Sequence, residues 1–406
     1  MTFTLKLALR NVLRHKGRTG LTLLSIVVGV VGLILSGGFV KDIFVQLGEM
    51  LIHSQSGHLQ VMRSGYFDHG ARRPENYLID DPEPLRRELS ALPGVKDVMG
   101  RVYFVGLVNN GRSELPIVGE GVEPAREARL GSNVVITAGR QLQDSDLDGI
   151  LIGDGLARAL GLQPGDRVDV VLNTVGGAIN SMAFQVVGVF QSFSKDYDAR
   201  AVRIRLDTAR DLMAAAGVNT LVVLLHSTDH TDAVARTLEH RLSARSLEVK
   251  TWLELNDFYT KTVTLYDIQF GVLRVIILLM VLLSVANSVN MGIFERVPEF
   301  GTMMALGNHS RAVFTLIVTE NALLGLAGSV IGVLLGVALA WLISAIGIPM
   351  PPPPNSDMPY TARITLTPTV VAGAFAIGLI ATVGASLLPA FKLRRLPVVE
   401  ALRQGV

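Results

Sequence analysis

Four long apolar stretches dominate the hydrophobic pattern of the chain. They contain no Asp, Glu, Lys or Arg and lie at Thr19–Val40, Val275–Phe294, Asn321–Ser356 and Ile364–Phe391. Each is at least as long as the roughly 18–20 residues that a helix needs to cross a hydrocarbon core of ~30 Å. The third ends in a proline-rich run, so its spanning part is expected to end near Ile346. The pattern predicts an integral membrane protein with four transmembrane helices.

A helical pattern of apolar residues also continues past the first span and precedes the second. A helix over residues 255–294 would be ~60 Å long, about twice the thickness of the hydrocarbon core. Two helices are therefore expected either to project from the membrane as stalks or to form the base of the domain between them. The apolar positions on these extensions include Phe44, Leu47, Leu51, Phe258 and Leu265.

About 200 residues between these extensions have the character of a soluble domain. Together the short runs below predict a mixed α/β domain of one or two lobes. The β-rich runs are Gly57–Met62, Tyr103–Val108, Leu115–Val118, Val168–Leu172, Phe184–Phe190, Ala201–Leu206 and Leu221–Leu225. The helical patterns are Pro84–Leu92, Gly155–Leu160 and Asp232–Ala244.

Basic residues flank both ends of the membrane region. The first 18 residues contain five Lys or Arg residues and no acid, and the tail after Phe391 contains four against Glu400. Because such residues collect in the cytoplasm, both termini are predicted inside and the α/β domain outside, in the periplasm. Lys6, Arg10 and Arg14 form one stripe of an amphipathic helix, which lies on the membrane surface or serves only as a topology anchor. The basic tails adjoin spans, so nucleic acid is not expected as a partner.

Patterns that would indicate catalysis or a bound cofactor are weak. The chain has no cysteine and no G-x-x-x-x-G-K-[ST] motif, which excludes thiolate chemistry and a P-loop. Gly153-Asp154-Gly155 follows an apolar run, but Arg158 occupies the third glycine position of a dinucleotide turn. His226 and His230 have the spacing of a metal pair, yet no third ligand is evident. Neither an enzyme acting alone nor a metal or cofactor bound by this chain is expected.

Polar residues within the spans are expected to find partners inside the protein, because lipid offers none. Asn287, Ser288 and Asn290 lie near the cytoplasmic end of the second span. Glu320, at the same end of the third span, either reaches the interface or is buried in a coupling role. A stripe of small residues on the third span permits close approach of either the fourth span or a second subunit. It consists of Gly325, Gly328, Gly332 and Gly336.

The loop between the second and third spans carries the most specific pattern. Proline suits the first turn of a helix and glycine its end, so Pro298–Leu306 is predicted to be a short helix that stops at Gly307. Phe300, Met303 and Met304 give this helix an apolar face that has no partner within the loop. It is suited to dock a soluble protein, or it lies on the bilayer as a connector.

The loop reads Glu295-Arg296-x-x-Glu299-Phe300-Gly301-x-Met303-x-Ala305-Leu306-Gly307. It resembles the signature of FtsX-like ABC permeases, a family that includes MacB-type exporters and the lipoprotein-release permeases of the LolC/LolE kind. Its sequence is similar to E-R-x-x-E-[IF]-G-x-x-[RK]-A-[LM]-G. Met304 stands where the family usually has Arg or Lys. The resemblance covers nearly the whole chain, including the long insertion and the ending Leu396-Pro397-Val398-Val399-Glu400-Ala401-Leu402-Arg403.

The resemblance implies a type VII ABC transporter, in which two permease subunits, identical or different, work with two separate ATPase subunits. ATP and magnesium would be bound by the ATPases, whose closure moves the inner coupling helices while the stalks transmit the motion outward (mechanotransmission). Carried over, the ATPase-coupling residues would be Glu299, Phe300, Gly301, Met303, Met304, Ala305, Leu306 and Gly307. The stalks of two subunits would enclose a substrate cavity lined by Phe44, Leu47, Leu51, Phe258 and Leu265.

The resemblance leaves three functions open. The nearest is lipoprotein release, in which acylated proteins leave the outer leaflet of the inner membrane for a periplasmic carrier. The strand pattern after Ser56 and the lack of an attached ATPase favour it. The alternatives are MacB-like tripartite efflux of peptides or drugs, and an FtsX-like regulator that activates a cell-wall hydrolase and transports nothing. The outer domain of such regulators is usually much smaller.

The first span is expected to be retained, because its apolar run exceeds the ~7–15 residues of the apolar region of a signal peptide. The patterns together divide the chain into nine expected segments. They are a cytoplasmic amphipathic helix (1–18), the first span with its stalk (19–52), the periplasmic α/β domain (53–254), the second stalk with its span (255–294), the cytoplasmic coupling loop (295–311), the third span (312–346), a periplasmic proline-rich loop (347–363), the fourth span (364–391) and a cytoplasmic tail (392–406).

Overall fold

The computed structural model describes residues 2–14, 16–70, 73–130, 134–352 and 359–394. Its helices are α1 Thr2–Arg14, α2 Lys16–Leu51, α3 Tyr66–His69, α4 Pro82–Ser90, α5 Pro124–Leu130, α6 Asp154–Leu160, α7 Lys195–Asp198, α8 Leu206–Met213, α9 Thr231–Leu242, α10 Trp252–Leu255, α11 Asp257–Ala305, α12 Ser310–Ile346 and α13 Pro368–Arg394. Its strands are β1 Leu59–Arg63, β2 Val95–Asn109, β3 Glu114–Val122, β4 Val135–Gly139, β5 Gly149–Gly153, β6 Arg167–Asn173, β7 Ile179–Gln191, β8 Ala201–Arg205, β9 Thr220–Leu225, β10 Leu247–Thr251, β11 Ile348–Met350 and β12 Tyr360–Ala362.

The chain forms two compact units. The membrane unit comprises residues 1–45, 262–350 and 361–406, and the α/β unit comprises residues 46–261 and 351–360. Four described helices, α2, α11, α12 and α13, are long and apolar enough to cross a membrane. The prediction of four spans, with an α/β domain inserted between the first and the second, is confirmed.

The glycine stripe of α12 packs mainly against the first span. A Cβ atom at Gly332 would lie 2.8 Å from the Cβ of Val30, and Gly328 and Gly336 face α2 in the same way. Only Gly325 faces α13, through Thr382. Small residues allow this approach because no side chain separates the helix backbones. The prediction that the stripe packs against the fourth span or a second subunit is therefore wrong for Gly328, Gly332 and Gly336.

The predicted short helix of the inner loop is instead the last part of α11. The helix continues through Pro298 and ends at Ala305, and Gly307 follows with a φ of +94°. Proline removes one backbone donor. Continuing the helix keeps Val297 and Phe300 in the core of the membrane unit, which offsets that loss. The prediction that Gly307 marks the helix end is correct.

The α/β unit contains one sheet with two distinct halves that share strand β2. Residues Val95–Arg101 of β2 pair with β9, which continues through β1 to β10. Residues Val102–Asn109 pair with β3, and the sheet continues through β8, β5 and β7 to β4, with β6 beside β2 and β7. Helices α4 and α9 pack on the first half, and α6 and α8 pack on the second. The sequence left one or two lobes open, and the two halves share one continuous sheet.

All seven predicted β-rich runs form strands in the structure. The sequence reasoning did not predict β4 and β10, while the apolar run before Gly153 is β5, which leads directly into α6. The second stalk helix begins at Asp257 rather than at residue 255, because a capping box at Thr251 starts the separate helix α10.

Candidate functional site

A buried carboxylate joins three helices at the end of the membrane unit that carries the α11–α12 loop. The Arg296 guanidinium donates hydrogen bonds to both carboxylate oxygens of Glu320, at 2.8 and 3.3 Å. The Asn11 amide donates to the same carboxylate at 2.5 Å, and Glu320 is only 8% exposed. Helices α1, α11 and α12 therefore meet at one charge. The two hypotheses for Glu320 were a position at the interface and a buried position, and this geometry agrees with burial.

Phe300 lies beneath this ion pair and not on the surface. Its ring is 1% exposed, and the Arg296 guanidinium lies 4.9 Å from the ring centroid. Met303 and Met304 are half-buried against the same core. The prediction of an unpartnered apolar face is therefore wrong for Phe300, which the core of the membrane unit covers, whereas Met303 and Met304 keep part of their surface exposed.

The remaining predicted coupling residues divide by exposure. Gly301 is buried with Phe300. Glu299, Ala305, Leu306 and Gly307 are exposed, and Leu306, at 81%, is the most open large apolar side chain among those that the structure describes. Glu299 also pairs with Arg296 at 3.2 Å and with Arg14 of α1 at 3.6 Å. These four residues, together with exposed Thr302, are named the loop surface.

A small polar cavity adjoins the Glu320 carboxylate. Its volume is about 70 Å³, which is sufficient for water, and Asn321, Thr22 and Ser288 are among its lining residues. The hydroxyls of Thr22 and Ser288 form a hydrogen bond of 2.6 Å between α2 and α11. Ser288 thus has the intraprotein partner expected from its position in a span.

The predicted cavity residues do not form one open face. Phe44 is buried and makes an edge-to-face contact of 5.6 Å with Tyr266, so its assignment as an open lining residue is wrong. Leu47 and Leu51 are half-buried, and the side chain of Phe258 lies outside the described ones. Leu265 is 55% exposed. It begins a stripe on α11 with Ile268 and Val272, which are 62% and 57% exposed.

The carboxyl end of α2 is held within the α/β unit by two buried arginines. After Leu51 the chain forms one π-helical turn, Ile52–Ser56, whose carbonyl groups need donors. Arg101 of β2 donates to the carbonyl oxygen of Gln55, and Arg203 of β8 donates to that of Ser54. Cations suit the negative end of a helix. The two arginines, with the glutamates that pair with them, are named the stalk joint.

Two buried glutamates neutralise these arginines. Glu127 of α5 pairs with Arg101 at 2.5 Å and with Arg203 at 3.5 Å, while Glu120 of β3 pairs with Arg203 at 3.0 Å. All four side chains are at most 5% exposed. Burial alone would raise the pKa of Glu120, but the guanidinium groups of Arg203 and Arg101 hold that pKa below its usual value. The Glu120 carboxylate is therefore ionised at neutral pH.

A second set of contacts within the α/β unit ties α2 to its surroundings. The Nδ1 atom of His58 accepts the backbone N–H of Leu225 at 3.2 Å, and its Nε2 atom lies 3.1 Å from the hydroxyl of Thr228. That hydroxyl donates to Glu49 of α2 at 2.6 Å. Burial lowers the pKa of His58 to about 4, so the ring is neutral at pH 7 and donates through Nε2.

The beginning of α11 also contacts α2 in this unit. The rings of Tyr259 and Trp252 lie 4.9 Å apart. A Cβ atom at Gly48 of α2 would lie 2.7 Å from the Trp252 ring and 3.4 Å from the Tyr259 hydroxyl. Only glycine lets α2 approach these rings so closely. The two stalk segments are thereby packed together.

The described residues contain no group of three or more histidine, aspartate or glutamate side chains placed to hold a metal ion. His226 and His230 are both exposed. The described residues thus provide buried ion pairs at helix ends and an exposed loop surface.

Comparison with known families agrees with this architecture. The family model described as MacB-like periplasmic core domain matches residues 19–241, more than half of the chain. The model described as FtsX-like permease C-terminal matches residues 271–398. The chain is an FtsX-like ABC permease with a MacB-like periplasmic core domain. The family predicted from the loop signature is confirmed.

Individual relatives of the permease are similar at modest identity. The lipoprotein-releasing system transmembrane protein LolC of Xylella fastidiosa (strain Temecula1) is 25% identical, over 96% of both chains. An uncharacterised ABC transporter permease of Methanocaldococcus jannaschii is 24% identical, over 84% of both chains. The macrolide export ATP-binding/permease protein MacB of Hyphomonas neptunium is 23% identical, over 98% of this chain and 60% of its own length.

Breaking the stalk joint should destabilise the α/β unit strongly. Arg203→Met leaves Glu120 buried without its main partner, so the free energy of unfolding should fall by ~3–5 kcal/mol. Urea unfolding followed by Trp252 fluorescence, in a Trp341→Phe background, would measure the loss. The matched control is Arg158→Met, which removes a surface pair with Asp154 and should cost at most ~0.5 kcal/mol. Equal urea midpoints for Arg203→Met and Arg158→Met would contradict the stabilising role of the stalk joint.

Proposed function

We propose that this permease works with separate ATPase subunits and releases lipoproteins from the outer leaflet of the bacterial inner membrane to a periplasmic carrier. The observation that carries the proposal is the match to a lipoprotein-releasing LolC protein along 96% of both chains. ATP and magnesium belong to the ATPase in this proposal, and this chain supplies the path by which hydrolysis moves the cargo.

The proposed orientation follows from the basic flanks of the chain. Cytoplasmic termini place the loop surface in the cytoplasm and residues 46–261 in the periplasm. ATPase subunits then have access to Glu299 and Leu306, and a carrier has access to the α/β unit. The same orientation brings α11 past the hydrocarbon core on the periplasmic side, because α11 has 49 residues, or ~74 Å of helix.

The transmission step is proposed to begin at the loop surface. An ATPase that docks on Leu306 and Glu299 pushes the end of α11. The ion pair between Arg296 and Glu320 makes α12 follow, and the hydrogen bond from Asn11 includes α1. At the other end, the stalk joint transfers the displacement of α2 to strands in both halves of the sheet, since Arg101 belongs to β2 and Arg203 to β8.

The cargo is proposed to bind on the exposed stripe of α11. The stripe residues Leu265, Ile268 and Val272 are 55%, 62% and 57% exposed, and they precede the charge-free run that begins after Arg274. An apolar surface of this extent needs a partner. Two permease subunits that face each other through these stripes would enclose a space for acyl chains, each methylene of which contributes ~0.8 kcal/mol on burial.

A second candidate function is MacB-like efflux of peptides or drugs. It is supported by the 23% identity to a macrolide export protein along 98% of this chain and by the match to the MacB-like periplasmic core domain. The two functions share the loop surface and the stalk joint, and they differ in the occupant of the stripe. A regulator of a cell-wall hydrolase would leave the stripe without cargo.

The topology can be measured by cysteine labelling, because the chain contains no native cysteine. Cysteines at Ser64 and Asp148, both exposed in the α/β unit, should react with an impermeant thiol reagent in cells with a permeabilised outer membrane. A cysteine at Asn308, exposed in the loop, should react only after the inner membrane is opened. Labelling of the cysteine at position 308 in cells with an intact inner membrane would indicate the opposite orientation.

The loop surface can be tested with a charge at its most exposed apolar residue. Leu306→Asp should weaken ATPase binding by roughly tenfold or more, because it puts an unpaired charge in the contact. The affinity of purified permease for purified ATPase gives the measurement. Leu147→Asp, at a leucine that is 69% exposed in the α/β unit, is the matched control and should bind normally. Normal ATPase binding by both variants would place the contact elsewhere.

The cargo can be identified by mass spectrometry of molecules that co-purify with the assembled transporter. Lipidated protein should be recovered, and Leu265→Asp should reduce its recovery at least tenfold while the subunits still assemble. Leu147→Asp again serves as the control. Loss of assembly in Leu265→Asp would indicate that the stripe is an interface between subunits. Recovery of peptides or drugs without lipidated protein would favour efflux, and recovery of neither would favour the regulator.

A further inference from the structure

A groove in the membrane unit lies among α2, α11 and α13, with Arg274 at its edge. Its volume is about 260 Å³, and Leu33 and Gly37 of α2 form one side. Apart from the Arg274 guanidinium and one threonine hydroxyl, the lining is apolar or glycine. The residues from α13 are Thr369, Val370, Gly373, Ala374 and Ile377.

Arg274 lies at the level of the lipid headgroups. The 20 residues between Arg274 and Glu295 carry no charge and belong to one continuous helix. The two charges are therefore ~31 Å apart along the axis, which matches the ~30 Å hydrocarbon core. Lys392 follows Thr369 by ~35 Å of helix in α13 on the same reasoning. Arg274 and Thr369 thus lie at one membrane surface, and the groove extends from it into the hydrocarbon.

The charge of Arg274 is not neutralised by the described part of the chain. Its side chain is exposed, and it makes no hydrogen bond or ion pair with another described residue. Arginine is uncommon at the periplasmic surface, where the orientation proposed above places it. A cation at this depth is stable when its flexible stem lies along apolar surface and its guanidinium meets an anion at the interface.

The interior of the groove is open at a glycine. A Cβ atom at Gly373 would meet no atom within 4 Å, whereas one at Gly37 would lie 3.1 Å from Val370. Gly37 therefore forms the closed floor, and Gly373 borders free space. The space is lined mainly by apolar side chains, and Arg274 borders it.

We propose that this groove binds a glycerophospholipid of the adjacent leaflet, with its phosphate on Arg274 and one acyl chain against Gly373. Charge complementarity selects this occupant, because a guanidinium group recognises phosphate bidentately and the groove continues as apolar surface. An acylated protein terminus carries no phosphate at this position, so the site is distinct from the α11 stripe and does not depend on the identity of the cargo.

The test compares two lipids with identical acyl chains, phosphatidylglycerol and diacylglycerol, added to the full-length purified permease in detergent. Native mass spectrometry measures how much of each lipid is retained. The unaltered protein should prefer phosphatidylglycerol by about fivefold or more. Arg274→Gln should abolish this preference, and Arg274→Lys should restore part of it. Gly373→Leu should lower the retention of both lipids, because its side chain fills the groove.

Two matched variants control for general effects on the membrane unit. Arg363→Gln removes another exposed arginine, and Gly384→Leu alters another α13 glycine whose Cβ position is open. Both should retain lipid normally. Unchanged phosphatidylglycerol retention in Arg274→Gln would overturn the headgroup assignment, and unchanged retention in Gly373→Leu would overturn the acyl assignment. A change of oligomeric state in Gly373→Leu would show that a second copy of the chain occupies the groove.

Discussion

A segment in lipid must satisfy its polar groups within the protein. In the membrane unit, the buried carboxylate of Glu320 is the group for which this requirement is strongest, and the surrounding helices are arranged around it. Lipid offers this group no partner, and the guanidinium of Arg296 and the amide of Asn11 supply its hydrogen bonds from within the protein. Their positions fix how α1, α11 and α12 meet. Phe300 then packs under the guanidinium, and the loop surface is what remains exposed beyond it.

The stalk joint applies the same rule in the α/β unit. The turn after α2 leaves carbonyl groups that the sheet cannot pair, and Arg101 and Arg203 supply the donors. Each arginine brings a buried charge, which Glu120 and Glu127 neutralise. Replacing such a cluster with apolar residues often costs no stability, so stability alone does not explain its presence here. Directed hydrogen bonds fix the position of a helix end, whereas apolar packing allows it to shift.

The sequence predicts most elements of this fold but few of the contacts that join them. Spans and strands follow from local periodicity, and the end of α11 at Gly307 follows from glycine's tolerance of a positive φ. The continuation of α11 through Pro298 was missed because burial of Val297 and Phe300 overrides a local proline signal. The stalk joint was missed for a similar reason. Isolated charges in apolar strands, such as Arg101 and Arg203, are a visible signal, but their partners are far away in sequence.

In the proposed mechanism, α11 transmits motion although it has little packing along its length. Only 11% of the most apolar 18-residue segment of α11 is buried. The middle of the helix can therefore slide against lipid or a second subunit at a low cost in free energy. Its last turns are fixed to α12 by the pair of Arg296 and Glu320. Near its start, Tyr259 packs on Trp252 beside Gly48 of α2. A continuous hydrogen-bonded helix resists compression along its axis, so fixed ends and a mobile middle favour axial transmission over local bending. Stronger packing along the middle of α11 would resist that movement.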